Sequence, residues 1–545
     1  MSSRRRALGA LLWQLADLVQ ADERRRSFRA RAYRRAVWAL DELDQDLGAD
    51  RDVMLATPGI GAGVAGLIEE YGRTGALAQL DRLRGMYPDE TASLRRLPRM
   101  TPSLLRSLKA DLGVDTEADL LRAIDREDAL TLKGVGEATV QLWQAILQLP
   151  PHPGMVPAFR AWVTASELIA HLRRHIPGSG AHMAGAVRRV EDWVDRIDIV
   201  IVPRDVSAVE GFLGTSAVLR RADRSADSLA FETHAGIRGR VHFSGADSLG
   251  TTMIVATGPL AHVAEILGTG SPVPYPSEEE AYQSRELPWI PPPSRRLPLD
   301  QAVETVRMED VRGDLHVHSD RSPDGRMPLE LIVEMSIQRG YEYLLITDHT
   351  LGLRFGGLGR DELLTQADEL EHLRRRYPEL TILHGAEVNI GPDGTLDLDD
   401  ETLAMLDIAV AGLHSHFGLT IEQQTARVIE ALGHPAVRVL AHPTGRRIGT
   451  RPAIELDVPA VIAAAVSHDR ALECNGHRDR LDLSVQWVQT AAGMGARFAA
   501  NSDAHRPDEL GNIANAIAIL QAAGVEATQL VNTAPVDEIA KWLAR

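Results

Sequence analysis

The hydrophobic positions change period along the chain. Over the first 150 residues apolar side chains recur at helical spacing, as in Leu11-Leu12-Trp13-Gln14-Leu15-Ala16-Asp17-Leu18-Val19, and glycines punctuate the turns. An all-helical region is predicted there. Between about 155 and 270 a helix over 160–175 gives way to apolar or alternating runs, Ile197-Asp198-Ile199-Val200-Ile201-Val202 and Thr252-Met253-Ile254-Val255-Ala256-Thr257, which read as strands of an α+β domain. Residues 271–298 are rich in proline, which excludes regular helix or a central strand, so a linker is expected. From Gly313 onward short apolar runs alternate with helical stretches (327–339, 360–376, 421–432, 457–467, 483–493, 507–523), the pattern of parallel strands joined by crossover helices.

The boundaries that follow are 1–90 and 91–153 for two helical regions, 154–270 for the α+β domain, 271–310 for the linker and 311–545 for the C-terminal α/β domain. Composition agrees with several ordinary cores: 545 residues, 44% hydrophobic and 25% charged. Cys474 is the only cysteine, which rules out internal disulfides and cysteine-rich zinc modules and points to a reducing cytoplasm. No apolar stretch reaches the roughly 18 residues of a spanning helix, so no membrane partner is expected. The net charge of −17 argues against coating nucleic acid through bulk electrostatics. Residues 1–40 nevertheless hold ten Arg against three acids, so a phosphate-facing surface would be N-terminal.

Twelve of the 19 histidines fall between 311 and 510, most where a strand-like run meets a loop. The runs end in His316-Val317-His318, Thr347-Asp348-His349, Gly385-Ala386-Glu387, Leu413-His414, His442-Pro443, Glu473-Cys474-Asn475 and Asp503-Ala504-His505. In a (β/α) barrel all strand C-termini meet at one mouth, so ligands spread over nearly 200 residues of sequence would converge. The i, i+2 spacing of His316 with His318, and of Asp503 with His505, puts each pair on one strand face. The candidate metal ligands are His316, His318, Asp324, His349, Glu387, His414, His442, Asp503 and His505, six neutral and three anionic groups. That donor set suits Mn, Zn or Fe, in a cluster of up to three divalent ions, better than Mg or Ca alone. Three carboxylates cannot neutralise three such ions, and a phosphoester would complete the balance. Metal ions acidify bound water, so no protein nucleophile is required, and no Ser or Cys nucleophile motif stands out.

These motifs, in this order, resemble the polymerase-and-histidinol-phosphatase (PHP) phosphoesterases over about 310–545. The resemblance implies a distorted seven-stranded barrel with a trinuclear metal centre held by the nine residues above. It also implies a phosphate-binding Arg446, and Asp348 is taken with it as catalytic. The spacing from His318 to Asp324 is one residue longer than usual, so Asp320 competes for the ligand role.

Two further segments read as helix-hairpin-helix turns that aim backbone amides at DNA phosphates: Pro58-Gly59-Ile60-Gly61-Ala62-Gly63 and Lys133-Gly134-Val135-Gly136. A third, Leu97-Pro98-Arg99-Met100-Thr101, lacks the glycines. Phe28-Arg29-Ala30-Arg31-Ala32-Tyr33-Arg34-Arg35-Ala36 resembles a segment of bacterial family X DNA polymerases, and Leu287-Pro288-Trp289-Ile290-Pro291-Pro292 resembles their proline-rich joint. Gly59, Gly61, Gly63, Gly134, Gly136, Arg34 and Arg35 are the DNA-binding candidates.

A family X palm would present three aspartates for two Mg²⁺ ions. Here Arg196 stands at the first position, Asp198 at the second and His242 at the third, with Ala186 in place of serine. Polymerase activity is expected to be lost. The implied function is a metal-dependent DNA 3′-5′ exonuclease or 3′-end-processing enzyme acting in DNA repair. A phosphomonoesterase of histidinol-phosphatase type and a non-catalytic DNA-binding scaffold with structural metals remain as alternatives.

Overall fold

The computed structural model describes residues 4–543 except 24–26, 44–49, 88–92, 96, 153, 226 and 354–355. The chain forms two compact units. The first comprises residues 1–187, 193–256 and 273–277, and the second 188–192, 257–272 and 278–545.

In the first unit, helices such as Arg4–Glu23, Phe28–Ala39, Ala62–Thr74, Pro102–Leu112 and Glu137–Leu147 precede a long helix Ala158–His175. Their apolar stripes bury together. Leu8, Leu12 and Leu15 join Trp143, Leu168, Ile199 and Val241 in one continuous core. The two helical regions and the α+β region, expected as separate domains, therefore share a single interior.

Strands β1 (Val156–Pro157) and β3 (Trp193–Val194) form a small antiparallel pair. The main sheet contains β2 (Gly180–Ala184), β4 (Ile197–Val202), β5 (Leu219–Arg224), β6 (Ser228–Thr233) and β7 (Arg238–Phe243) in the order β2-β4-β7-β6-β5. Only β4 and β7 run parallel. One expected strand is instead a helix: Thr252–Thr257 belongs to Leu249–Thr257. A short, uniformly apolar run carries no period to tell buried helix from buried strand.

In the second unit seven parallel strands follow one another in sequence order: β8 (Gly313–Val317), β9 (Tyr343–Ile346), β10 (Thr381–Asn389), β11 (Ile408–Gly412), β12 (Val437–Leu440), β13 (Ala471–Asn475) and β14 (Arg497–Asn501). Helices including Leu329–Gln338, Arg360–Arg376, Ile421–Gly433, Val458–Ser467, Val485–Gly493 and Ile513–Ala523 lie between or after them, at the places their periodicity predicts. Buried on both faces, the strands read as near-continuous apolar runs.

The sheet nearly closes. Val317 bridges Ala504, and the His318 amide donates to the Ala504 carbonyl at 2.9 Å. Buried Asn532 holds the seam: its amide nitrogen donates to the Gly313 and Ala500 carbonyls, both at 2.9 Å, while its oxygen accepts from the Ala500 amide at 2.8 Å.

The proline-rich stretch is not a free linker. Pro292–Arg296 form a 3₁₀ turn that packs on the helix Ile513–Ala523, and Ile290, Pro292, Pro293 and Ser294 are buried. Buried Glu278 anchors this strap, accepting from Arg188 at 2.6 and 2.9 Å, Arg295 at 3.0 Å and Trp289 at 3.2 Å. Proline blocked regular structure there but not packing.

Candidate metal centre

The strand ends deliver the expected residues to one place. His316 and His318 leave β8 with their Nε2 atoms 3.0 Å apart. Glu387, on β10, sits at the middle of the group. Its oxygens lie 2.8 Å from His349 Nδ1, 2.8 Å from His442 Nε2, 3.0 Å from His414 Nε2 and 3.4 Å from His316 Nε2. Asp503 Oδ1 is 3.3 Å from His318 Nε2 and 3.6 Å from His316 Nε2. Asp324 stands at the outer side, 3.5 Å from His505 Nε2 and 3.8 Å from His349 Nε2.

Hydrogen-bond accounting shows what the cluster lacks. His316 Nδ1 meets Glu473 Oε1 at 2.7 Å, His318 Nδ1 meets Ser322 Oγ at 3.3 Å, and His505 Nδ1 meets the Asp503 carbonyl at 3.0 Å. Where Nδ1 is the donor, Nε2 is left as a lone pair able to face a cation. Two bare nitrogens 3.0 Å apart repel unless a cation lies between them. Both Glu387 oxygens, His349 Nδ1, His414 Nε2 and His505 Nε2 are buried and make no hydrogen bond. Such orphans cost about 1–3 kcal/mol each, so the donor set is suited to divalent ions. Three overlapping groups are close enough to hold an ion each: His318, His349 and His505; His316, His318 and Asp503; and His349, Glu387 and His414. Burial alone would raise the Glu387 carboxyl, but four imidazoles, His414 foremost, hold it well below the usual range.

The backbone is bent to aim these groups. His442 and Asp503 both have positive φ, 26° and 51°, a conformation that side chains with a Cβ rarely adopt and that concentrates at functional sites. Beneath them Gly412 leaves room: a Cβ there would lie 2.7 Å from His414, 2.8 Å from Glu387 and 3.2 Å from His442.

Three supporting residues were given no role in the sequence reading. Glu473 orients His316, accepts the His442 amide at 2.6 Å and is itself held by Asn475 and Asn501. Its signal was the Glu-x-Asn spacing on β13, which puts both side chains on one face. Gly412 and Arg480 gave no comparable signal. Arg480 Nε lies 3.4 Å from Asp503 Oδ2, and its Nη1 is buried without a hydrogen-bond partner.

Two expected catalytic residues are placed differently. Asp348 is saturated by the Ser319 amide and hydroxyl, Ser322 Oγ and Gln366 Nε2. It positions Ser322, and through it His318 and His349, and has no oxygen left over for proton transfer. Arg446 forms a bidentate pair with Asp192 at 2.7 and 3.0 Å and also donates to the Arg480 and Leu481 carbonyls. A phosphate could reach it only by displacing Asp192.

In the first unit, the positions expected for a palm sit together on the sheet without forming a metal site. Asp198 accepts from Arg196 Nε at 3.0 and 3.1 Å and faces His242 Nε2 at 2.9 Å. Both of its oxygens are already engaged by cationic or donor groups.

The two glycine turns are built alike. Gly59 and Gly134 take φ of 98° and 86°, and Gly61 and Gly136 are the N-caps of Ala62–Thr74 and Glu137–Leu147 without any side-chain cap. At the third turn Arg99 adopts the same left-handed φ, 62°, but Thr101 Oγ1 accepts the Leu104 amide at 3.1 Å. The amide that a phosphate would need is occupied there. Arg34 pairs with Asp17 at 2.9 Å, and with Arg35 it lines a cleft of about 620 Å³ bordered by Trp13, Trp38 and Phe159. Among the described residues no helix is long and apolar enough to cross a membrane.

A PHP domain is matched at residues 314–434, and with the relatives that follow it defines the class, a metal-dependent hydrolase of phosphoesters. Over nearly its whole length the chain is similar to the DNA polymerase/3′-5′ exonuclease PolX of Bacillus subtilis, 29% identical across 95% of each chain. It is also similar to probable phosphatases. That of Syntrophotalea carbinolica is 29% identical over 40% of this chain and 90% of its own, and that of Thermoanaerobacter sp. is 27% identical over 42% and 93%.

Proposed function

We propose that the protein removes nucleotides from DNA 3′ ends, using the barrel centre to hydrolyse the phosphodiester while the glycine turns hold the strand by its backbone. The observation that carries this reading is the set of buried imidazole and carboxylate atoms that face one another without hydrogen bonds. Divalent ions bound there, Mn or Zn by donor type, would polarise the phosphoryl oxygens and bring water to a reactive protonation state near neutral pH. His316, His318 and Asp503 form one side of the cluster, and His349, Glu387, His414 and His442 the other. His505 and Asp324 close its outer edge. Arg480 is the cation best placed for a phosphate oxygen, and Arg446 could join once Asp192 releases it. The similarity to an exonuclease over nearly the whole chain, together with the paired glycine turns, favours DNA over a small phosphomonoester. A repair role in the cytoplasm accords with this.

Polymerase activity is absent in this reading, because Arg196 and His242 occupy the one palm carboxylate. The test is a 3′-labelled oligonucleotide incubated with the full chain and Mn²⁺, beside histidinol phosphate and a primer-template with deoxynucleotides. Stepwise shortening with no extension is expected. Hydrolysis of the monoester alone would replace the exonuclease with a phosphatase, and extension would overturn the loss of polymerase.

A further inference from the structure

The long helix Ala158–His175 ends in His171-Leu172-Arg173-Arg174-His175, and residues four apart on a helix stand on one face, one turn above the other. The pair meets the turn that follows Phe28–Ala39. There the 3₁₀ turn Leu40–Glu42 brings Asp41 and Glu42 against the two rings. His171 Nε2 lies 3.0 Å from Asp41 Oδ2, and His175 Nε2 lies 3.3 Å from Glu42 Oε1. One donor atom from each of Glu42, His171 and His175 lies within 4.8 Å of the other two, close to the roughly 3–4 Å that separates donors sharing one ion.

The two acids have different tasks. Asp41 is buried and fully engaged: besides meeting His171 it accepts from the Ser216 hydroxyl at 2.6 Å and the Ala217 amide at 2.7 Å, with Arg5 at 3.8 Å. It fixes the His171 ring as an outer carboxylate commonly fixes a metal-bound imidazole. His175 is the group left over. Its Nε2 is buried and makes no hydrogen bond, while its ring stacks on Phe212 at 4.9 Å. Trp38 adds an apolar wall, its ring edge-on to His171 at 5.5 Å. Glu42 is held by Arg174 at 2.7 Å, whose side chain is 64% exposed, and a solvent-facing pair of this kind is weak enough to be given up. The group also sits at the C-terminal end of the helix, where the backbone dipole favours a cation.

We propose that Glu42, His171 and His175 bind one divalent transition-metal ion, Zn²⁺ by donor type, at a site that shares no residue with the barrel cluster. Two neutral imidazoles and one carboxylate form a donor set that zinc accepts, with the remaining position open to water. The ion takes the place that Arg174 now fills beside Glu42. Because it joins positions about 130 residues apart in the chain, it clasps the N-terminal helices to the long helix, and the closing of so long a loop makes its role structural. Its test does not depend on hydrolysis.

The experiment uses the full-length chain, as parent, Glu42→Gln and His175→Gln. Each protein is stripped with EDTA, checked for folding by circular dichroism and thermal melting, and titrated with Zn²⁺ in competition with a chromophoric chelator. Elemental analysis after dialysis against Zn²⁺ gives the number of ions per chain. Both variants should hold one ion fewer than the parent, because losing a ligand weakens an ion by more than the roughly 10- to 100-fold that losing an outer partner costs. Phosphoester hydrolysis should be the same in all three proteins. Glu42 is at the surface, so Glu42→Gln decides alone should His175→Gln fail to fold. A full complement of ions in either folded variant overturns the proposal, and so does loss of the ion together with hydrolysis, which would assign that ion to the barrel.

Discussion

The barrel mouth and the palm face each gather acidic and nitrogenous side chains at strand ends, yet they resolve the charge in opposite ways. At the mouth, Glu387 is surrounded by imidazoles and makes no hydrogen bond, so its negative charge is left for a cation from solution. On the palm, Asp198 is already satisfied by Arg196 and His242. The lesson is that residue type alone does not make a metal site. What matters is whether the protein supplies its own counter-charge.

The strongest way to break this contrast is to remove the central anion. Glu387→Gln should cut phosphoester hydrolysis by a factor of about 10³ or more and lower the metal content measured by elemental analysis, with the fold retained by circular dichroism. Retained turnover would mean that the chemistry lies elsewhere. Gly412→Ala tests the same centre without touching a ligand. The added methyl presses on His414, Glu387 and His442, and a loss of about 10²-fold in turnover is expected from sub-ångström displacement. Glu473→Gln removes the carboxylate behind His316, for which metal affinity measured by competitive chelation should fall about 10- to 100-fold.

Smaller effects sharpen the other side. Glu278 repeats the palm's solution inside the second unit. Burial would raise its carboxyl, but Arg188 and Arg295 hold it down at about 2. A depressed pKa contributes stability that is complete above the unfolded value near 4.5 and is lost as pH falls toward about 2. Glu278→Gln should therefore destabilise the protein by about 3 kcal/mol near neutral pH, and the gap from the parent should shrink in acid denaturation curves. A constant gap down to pH 2 would contradict the pairing. Asp198→Asn, the mildest change, should leave both metal content and hydrolysis unaltered. A drop in either would show that the palm carboxylate still serves an ion.

Much of this was legible in sequence because strand ends in a parallel barrel are forced to one rim. With the apolar runs as strands, candidate ligands as far apart as His316 and His505 have nowhere else to meet. Other features depend on what approaches a residue from elsewhere in the chain. Asp348 and Arg446 carry the right chemistry, but the structure spends one on Ser319, Ser322 and Gln366 and the other on Asp192. No local pattern announces such partners. Gly412 matters only for the side chains above it. The helix Leu249–Thr257 was misread because its apolar residues show no periodicity, and the proline-rich strap because a lack of regular hydrogen bonding says nothing about burial.

The seam held by Asn532 has a bearing on how the enzyme comes into being. Because β8 is joined to β14 by a side chain still further along the chain, the pocket rim has no finished perimeter until residue 532 has been made. During synthesis on a ribosome, His316 and His318 would emerge long before their partners Asp503 and His505. Ions could lodge stably only once residue 532 has joined the fold, so hydrolytic competence should arrive as an all-at-once event rather than growing with chain length.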